Sequence, residues 1–175
     1  MKPTGSAAVS DDRLVGELWA RGVPFVGGAV ETGTEPLADE LLLAGLASSA
    51  VARVQLAIIP LLLRYPHLAH ALRQAADMLA GPARVRLMCY ATAATLLQQE
   101  HGQRLVGTGC GEERIDDVFS SDLDLVSTVS VEDRLAALAQ RQASLTGRDL
   151  NWRATYEHAA ERLMTRLERE AAWAA

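Results

Sequence analysis

Two short stretches carry residue types that could do chemistry. The first is Arg64-Tyr65-Pro66-His67-Leu68-Ala69-His70. A guanidinium holds a phosphate through paired N–H donors, and an imidazole titrating near neutrality moves protons, so Arg64 with His70 has the parts needed to cut a phosphodiester. The second is Gly109-Cys110 followed by Ser121-Asp122-Leu123-Asp124. Carboxylates at alternate positions of a strand share one side, and Asp122 and Asp124 so placed could hold two Mg²⁺ ions that activate a hydroxyl and neutralise a triphosphate. Each stretch also has a plain reading. Arg64 would close one helix while His67 opens the next, and the two aspartates would be hydrated acids on a short helix near 117–123.

The other chemistry-bearing residues are scattered. His101 and His158 have no ligand at helical spacing, so both are expected as exposed helix side chains rather than metal ligands. Cys89 and Cys110 lie 21 positions apart without a CxxC pattern, which predicts ordinary reduced thiols. Glu112-Glu113 and Asp116-Asp117 form a local acidic run, and Arg84, Arg86, Arg104 and Arg114 could gather near one end of a long helix. There is no phosphate-binding loop, dinucleotide fingerprint or nucleophile elbow, so no cofactor and no metal is expected.

The elements that must position these residues are helical. The 175 residues include 30 Ala and 26 Leu against 13 Val and 3 Ile, with 5% aromatic, a composition that favours helix and starves a sheet. The net charge is −5, and 16 of the 17 basic residues are Arg, which disfavours dedicated nucleic-acid binding by a global basic field. The longest apolar run, Leu56 to Leu63, is eight residues, far short of the ~20 that span a bilayer. With no secretory leader pattern at the start, the expected setting is cytoplasmic, away from membranes.

Residues 1–9 read as a disordered N-terminus and 10–175 as a single helical domain. Ser10 caps a helix over 11–21 that Gly22 stops. Residues 22–35 read as a turn-rich loop anchored by Val23, Phe25, Val26 and Val30. Thr34 or Glu35 caps a helix from Pro36 to Ser48. The next, 50–64, is apolar all round from Val54 to Leu63 except Gln55, so it should be the core helix, kinked by Pro60. Helices over 67–80 and 82–101 follow, the second closed by Gly102. Residues 105–130 form a second irregular zone with a possible short helix at 115–123. Ser130 and Gly147 bracket a helix at 131–146, and Asp149 or Asn151 opens the last, whose charged face, including Arg153, Glu157, Glu161, Arg166 and Glu170, reads as solvated. The whole is an all-α bundle of about six to seven helices built from antiparallel hairpins.

Three resemblances add to this reading. The Gly109-Cys110 and Asp122/Asp124 elements resemble the Gly-Ser and Asp-x-Asp elements of nucleotidyltransferases, with Cys110 where that family has Ser. The Arg64 to His70 spacing is similar to the motif of HEPN ribonucleases, in which an Arg and a His from two protomers face across a dimer cleft; that resemblance implies a homodimer. Val54 to Pro66, Tyr90 to Gln98 and Gly147 to Tyr156 resemble segments of an uncharacterised family of small all-helical bacterial proteins, some of which accompany nucleotidyltransferase-type proteins. That third resemblance implies a helical fold and a protein partner. The expectation is therefore a non-enzymatic helical protein–protein interaction module, an antitoxin-like or regulatory partner of a nucleotidyltransferase. The alternatives are a dimeric HEPN-like ribonuclease using Arg64 and His70, and a minimal nucleotidyltransferase using Asp122 and Asp124.

Overall fold

The structure is a computed structural model that describes residues 8–24 and 35–175. Most of the expected disordered N-terminus, the anchors Phe25, Val26 and Val30, and the cap Thr34 lie outside the described residues. The chain is all-α, with no strand among the described residues. Its helices are α1 (Asp11–Ala20), α2 (Asp39–Ser48), α3 (Ala52–Leu56), α4 (Ile58–Arg64), a 3-10 segment (Pro66–Ala71) running into α5 (Leu72–Asp77), α6 (Gly81–Val106), α7 (Val131–Thr146) and α8 (Trp152–Ala174). Taking α3 with α4, and the 3-10 segment with α5, as bent single elements leaves seven helical bodies, within the expected number.

Helix boundaries follow local chemistry where that chemistry is strong. The Ser10 hydroxyl accepts from the Arg13 N–H at 3.2 Å, that of Ser130 from Asp133 at 3.1 Å, and the Asn151 side chain from Ala154 at 3.0 Å. Each oxygen satisfies a first-turn donor that the helix itself cannot. Gly147 ends α7 in the left-handed region at φ 64°, where a side chain would be strained. Pro60 acts as expected: it cannot donate to the Leu56 carbonyl, and the helix breaks at Ala57 between α3 and α4.

Four boundaries differ from the expectation. α2 begins at Asp39, not Pro36, and its cap residue Ala38 offers no side-chain bond. The expected 67–80 helix starts as a 3-10 turn, and α5 ends at Asp77. α6 runs through Gly102 to Val106, with non-helical dihedrals at His101 (φ −107°, ψ 17°), so Gly102 follows a kink rather than a stop. The glycine costs about 1 kcal/mol of helix propensity, which burial of Leu105 beyond it offsets. The segment 115–123 is irregular up to 118 and turns from 119, rather than forming a short helix.

One cluster of buried apolar side chains extends from Leu14 to Leu167. α4 is enclosed on nearly every side, with Ile58, Ile59, Leu61 and Leu62 wholly buried, as its all-round apolar sequence requires. The long α6 packs against α2, α4, α5, α7 and α8 and so forms the axis of the body. α1 closes on α2 through Gly45, where a Cβ would stand 2.8 Å from a Leu14 methyl. No helix among the described residues is long and apolar enough to cross a membrane.

Candidate functional site

The structure does not bring Arg64 and His70 together. At the end of α4, Arg64 has Nε 3.4 Å from the Tyr65 hydroxyl and Nη1 3.6 Å from Glu170 on α8. His70 leaves the 3-10 segment on another side, with Nδ1 2.5 Å from its own turn's His67 carbonyl, Nε2 3.7 Å from Asp39 and 67% of its side chain exposed. Among the described contacts they share no partner.

Asp122 and Asp124 are also kept apart. Asp122 accepts from Arg73 at 2.7 Å, on the α5 side, while Asp124 accepts from Arg141 of α7 at 2.8 Å. Both sit in a turn, Asp124 at φ 57°, so the alternation of a strand that would aim them at common ions is absent. The paired-strand arrangement that the transferase reading requires is not the one these residues adopt. Three of the four arginines near α6 disperse as well: Arg84 pairs with Asp77 at 3.9 Å, Arg86 donates to the Ala47 carbonyl, and Arg104 turns to α8.

The irregular zone after α6 is packed, not loose. Ile115, Phe119 and Leu123 are buried, and two polar side chains tie this stretch to α6 and α7. Gln98 donates from Nε2 to the Glu113 carbonyl and accepts the Ile115 N–H at Oε1, both at 2.8 Å. Arg134 of α7 donates to Asp117 at 2.9 Å and to the Ser120 hydroxyl at 3.0 Å. Nothing local in the sequence marked Gln98 as a clamp.

A second polar region lies where α6 meets α8. The His101 Nε2 is 3.3 Å from Glu157 Oε2 and 3.7 Å from Glu100 Oε2. Arg153 Nη2 takes the other oxygen of each, 3.5 Å from Oε1 of Glu100 and 3.5 Å from Oε1 of Glu157. One turn on, Arg104 grips Glu161 at 2.6 and 2.9 Å and also bonds Glu168. Partial burial and the nearby Glu157 push the Glu100 carboxyl above its ordinary value. Arg104 does the reverse to Glu161 and Glu168, holding both below the usual carboxylate range.

This corrects two expectations. His101 is half-buried against two carboxylates, and on the face of α8 Arg153, Glu157 and Glu161 pair with side chains of α6, Glu161 while still largely exposed. Spacing along one helix shows only donors on that helix; the Glu157 carboxylate comes from 56 positions away. His158 is exposed, as expected, and lines a groove of about 410 Å³ with Pro24, Pro60, Arg162 and Arg166. Cys89 and Cys110 are free thiols, and burial pushes Cys89 up to about 12, which leaves it protonated and inert at neutral pH.

Of the exposed large apolar side chains among the described residues, the most open lies at the end of α8. Residues 171–175, Ala-Ala-Trp-Ala-Ala, are all exposed, and Trp173 in the final turn of α8 has 88% of its surface open. No family model, curated protein or solved structure matches the chain.

Proposed function

We propose that the chain is a non-enzymatic helical interaction module that docks a protein partner through the end of α8. The observation that carries this reading is Trp173, 88% exposed on a helical turn otherwise made of alanine. Tryptophan is the side chain most often found as the buried anchor of an interface, and a rigid helix presents it with little further ordering to lose. The alternatives give the ionisable residues other work: Arg64, His70, Asp122 and Asp124 each answer to a separate neighbour. A nucleotidyltransferase-type protein is the partner class implied by the sequence resemblance, with this chain as its antitoxin-like or regulatory half in the cytoplasm.

The test is co-expression with the neighbouring genes and affinity capture. The expected result is a stoichiometric complex with a nucleotidyltransferase-type protein that the Trp173→Ala variant fails to form, while its own unfolding free energy stays within about 0.5 kcal/mol of the parent. Full retention of the complex by that variant rejects the docking element. RNA cleavage or nucleotide transfer by the purified chain, lost on His70→Ala or Asp122→Ala, rejects the reading altogether.

A further inference from the structure

We propose that Glu100, His101 and Glu157 form a binding site for one divalent first-row transition ion, Zn²⁺ being the ion the donors fit, held between α6 and α8 with a coordination position open to solvent. The three residues each offer one donor atom, and these atoms all lie within 4.8 Å of one another. Ligands roughly 2.0–2.2 Å from a tetrahedral ion stand about 3.3–3.6 Å apart. The 3.3 and 3.7 Å separations from His101 Nε2 to the two carboxylate oxygens are close to the edges of such a face. Imidazole nitrogen with carboxylate oxygen is a donor set that zinc accepts readily, and two carboxylates with a neutral imidazole balance its charge.

A bridging imidazolium accounts for the cluster less well. Nε2 has a single proton to share between two carboxylates, and both separations exceed the roughly 2.7–2.9 Å of a charge-assisted hydrogen bond. The surroundings are also those of a ligand set. Arg153 lies against the outer oxygen of each carboxylate and leaves the inner oxygens turned to the imidazole, the role that outer partners play around metal ligands. Adjacent residues of a regular helix point about 100° apart, yet Glu100 and His101 both address Glu157, and it is at His101 that α6 leaves helical geometry.

The experiment uses the full chain freed of metal with a chelator. Titration with Co²⁺ followed by visible absorption, and with Zn²⁺ by calorimetry, should each saturate at one equivalent, the cobalt adduct showing the intense bands of low coordination number. Zn²⁺ should raise the thermal midpoint of the parent. His101→Ala and the near-isosteric Glu157→Gln should each weaken binding at least about tenfold and abolish the thermal shift. Arg153→Gln, which removes no ligand, should keep the one-equivalent endpoint. Absence of binding in the parent, or binding undiminished in a folded Glu157→Gln chain, overturns the proposal. Neither outcome bears on docking through Trp173.

Discussion

Gln98 and the Glu100–His101 pair are less than one turn apart on α6, yet they handle polarity in opposite ways. The Gln98 amide has one donor and one acceptor matched to one carbonyl and one N–H, both at 2.8 Å, and the arrangement is complete without solvent or any third party. At Glu100 and His101 the acceptors outnumber the donors: two carboxylates face one imidazole and share one guanidinium at 3.5 Å. A neutral dipole in matched surroundings closes a structure. A cluster of like charges at half-exposed positions leaves an unfilled demand for positive charge. The first belongs to the architecture, and the second is where a ligand has something to do.

The contrast can be broken or sharpened by substitution, starting from the core that both regions flank. Leu61→Ala should destabilise by ~2–5 kcal/mol in denaturant unfolding, because the wholly buried side chain leaves a cavity in α4. A change within about 0.5 kcal/mol would mean that the apolar centre lies elsewhere. Gln98→Leu should cost about 1–3 kcal/mol, since it strands the buried Ile115 N–H and the Glu113 carbonyl together. A neutral outcome there would mean that the loop does not depend on the clamp.

The smallest effect is expected at the charged edge, and it has the opposite sign. The folded-state pKa of Glu100 is raised, so the native protein holds this proton more tightly than the unfolded chain. Its contribution to stability is present below the ordinary carboxylate value and is lost as pH rises through the raised one. Glu100→Gln should therefore lessen the loss of stability over that window and leave the metal-free protein at neutral pH as stable as the parent or slightly more so. Thermal midpoints between about pH 4 and pH 8 read this directly. A marked drop in midpoint at neutral pH would show that the link from Glu100 to Arg153 outweighs repulsion from Glu157. Glu161 and Glu168 give the reverse trend: Arg104 lowers both, so their contribution is present above the ordinary value and fades as pH falls.

Where a few neighbouring residues settled the matter, the sequence could be read closely. α7 starts and stops where Ser130 and Gly147 place it, α1 starts where Ser10 does, and α8 opens after Asn151. α4 was recognisable as the innermost helix because no polar residue interrupts it between Ile58 and Leu63. Reading failed where packing overrode a local signal. Gly102 looked like a terminator, but Leu105 had core to reach, and α6 continued past it. The stretch 115–123 offered a possible short helix, but Gln98 of α6 bonds it at 113 and 115 and Arg134 of α7 bonds Asp117 and Ser120, and it stays irregular.

Candidate chemistry divided along the same line. Arg64 with His70, and Asp122 with Asp124, were conspicuous because they are near each other in the chain, and the fold sends each member to a different neighbour. Glu100, His101 and Glu157 were inconspicuous because one of the three is 56 positions from its partner, and the fold brings them within bonding reach.

By itself the amino-acid order determined that this chain is all helix, where most helices begin, and which one lies deepest, because propensity, capping and apolar periodicity act within a few turns. Only the tertiary structure decided which charged side chains meet, because that depends on how α8 lies along α6 and on a break in helical geometry at a single residue, neither of which any local pattern encodes.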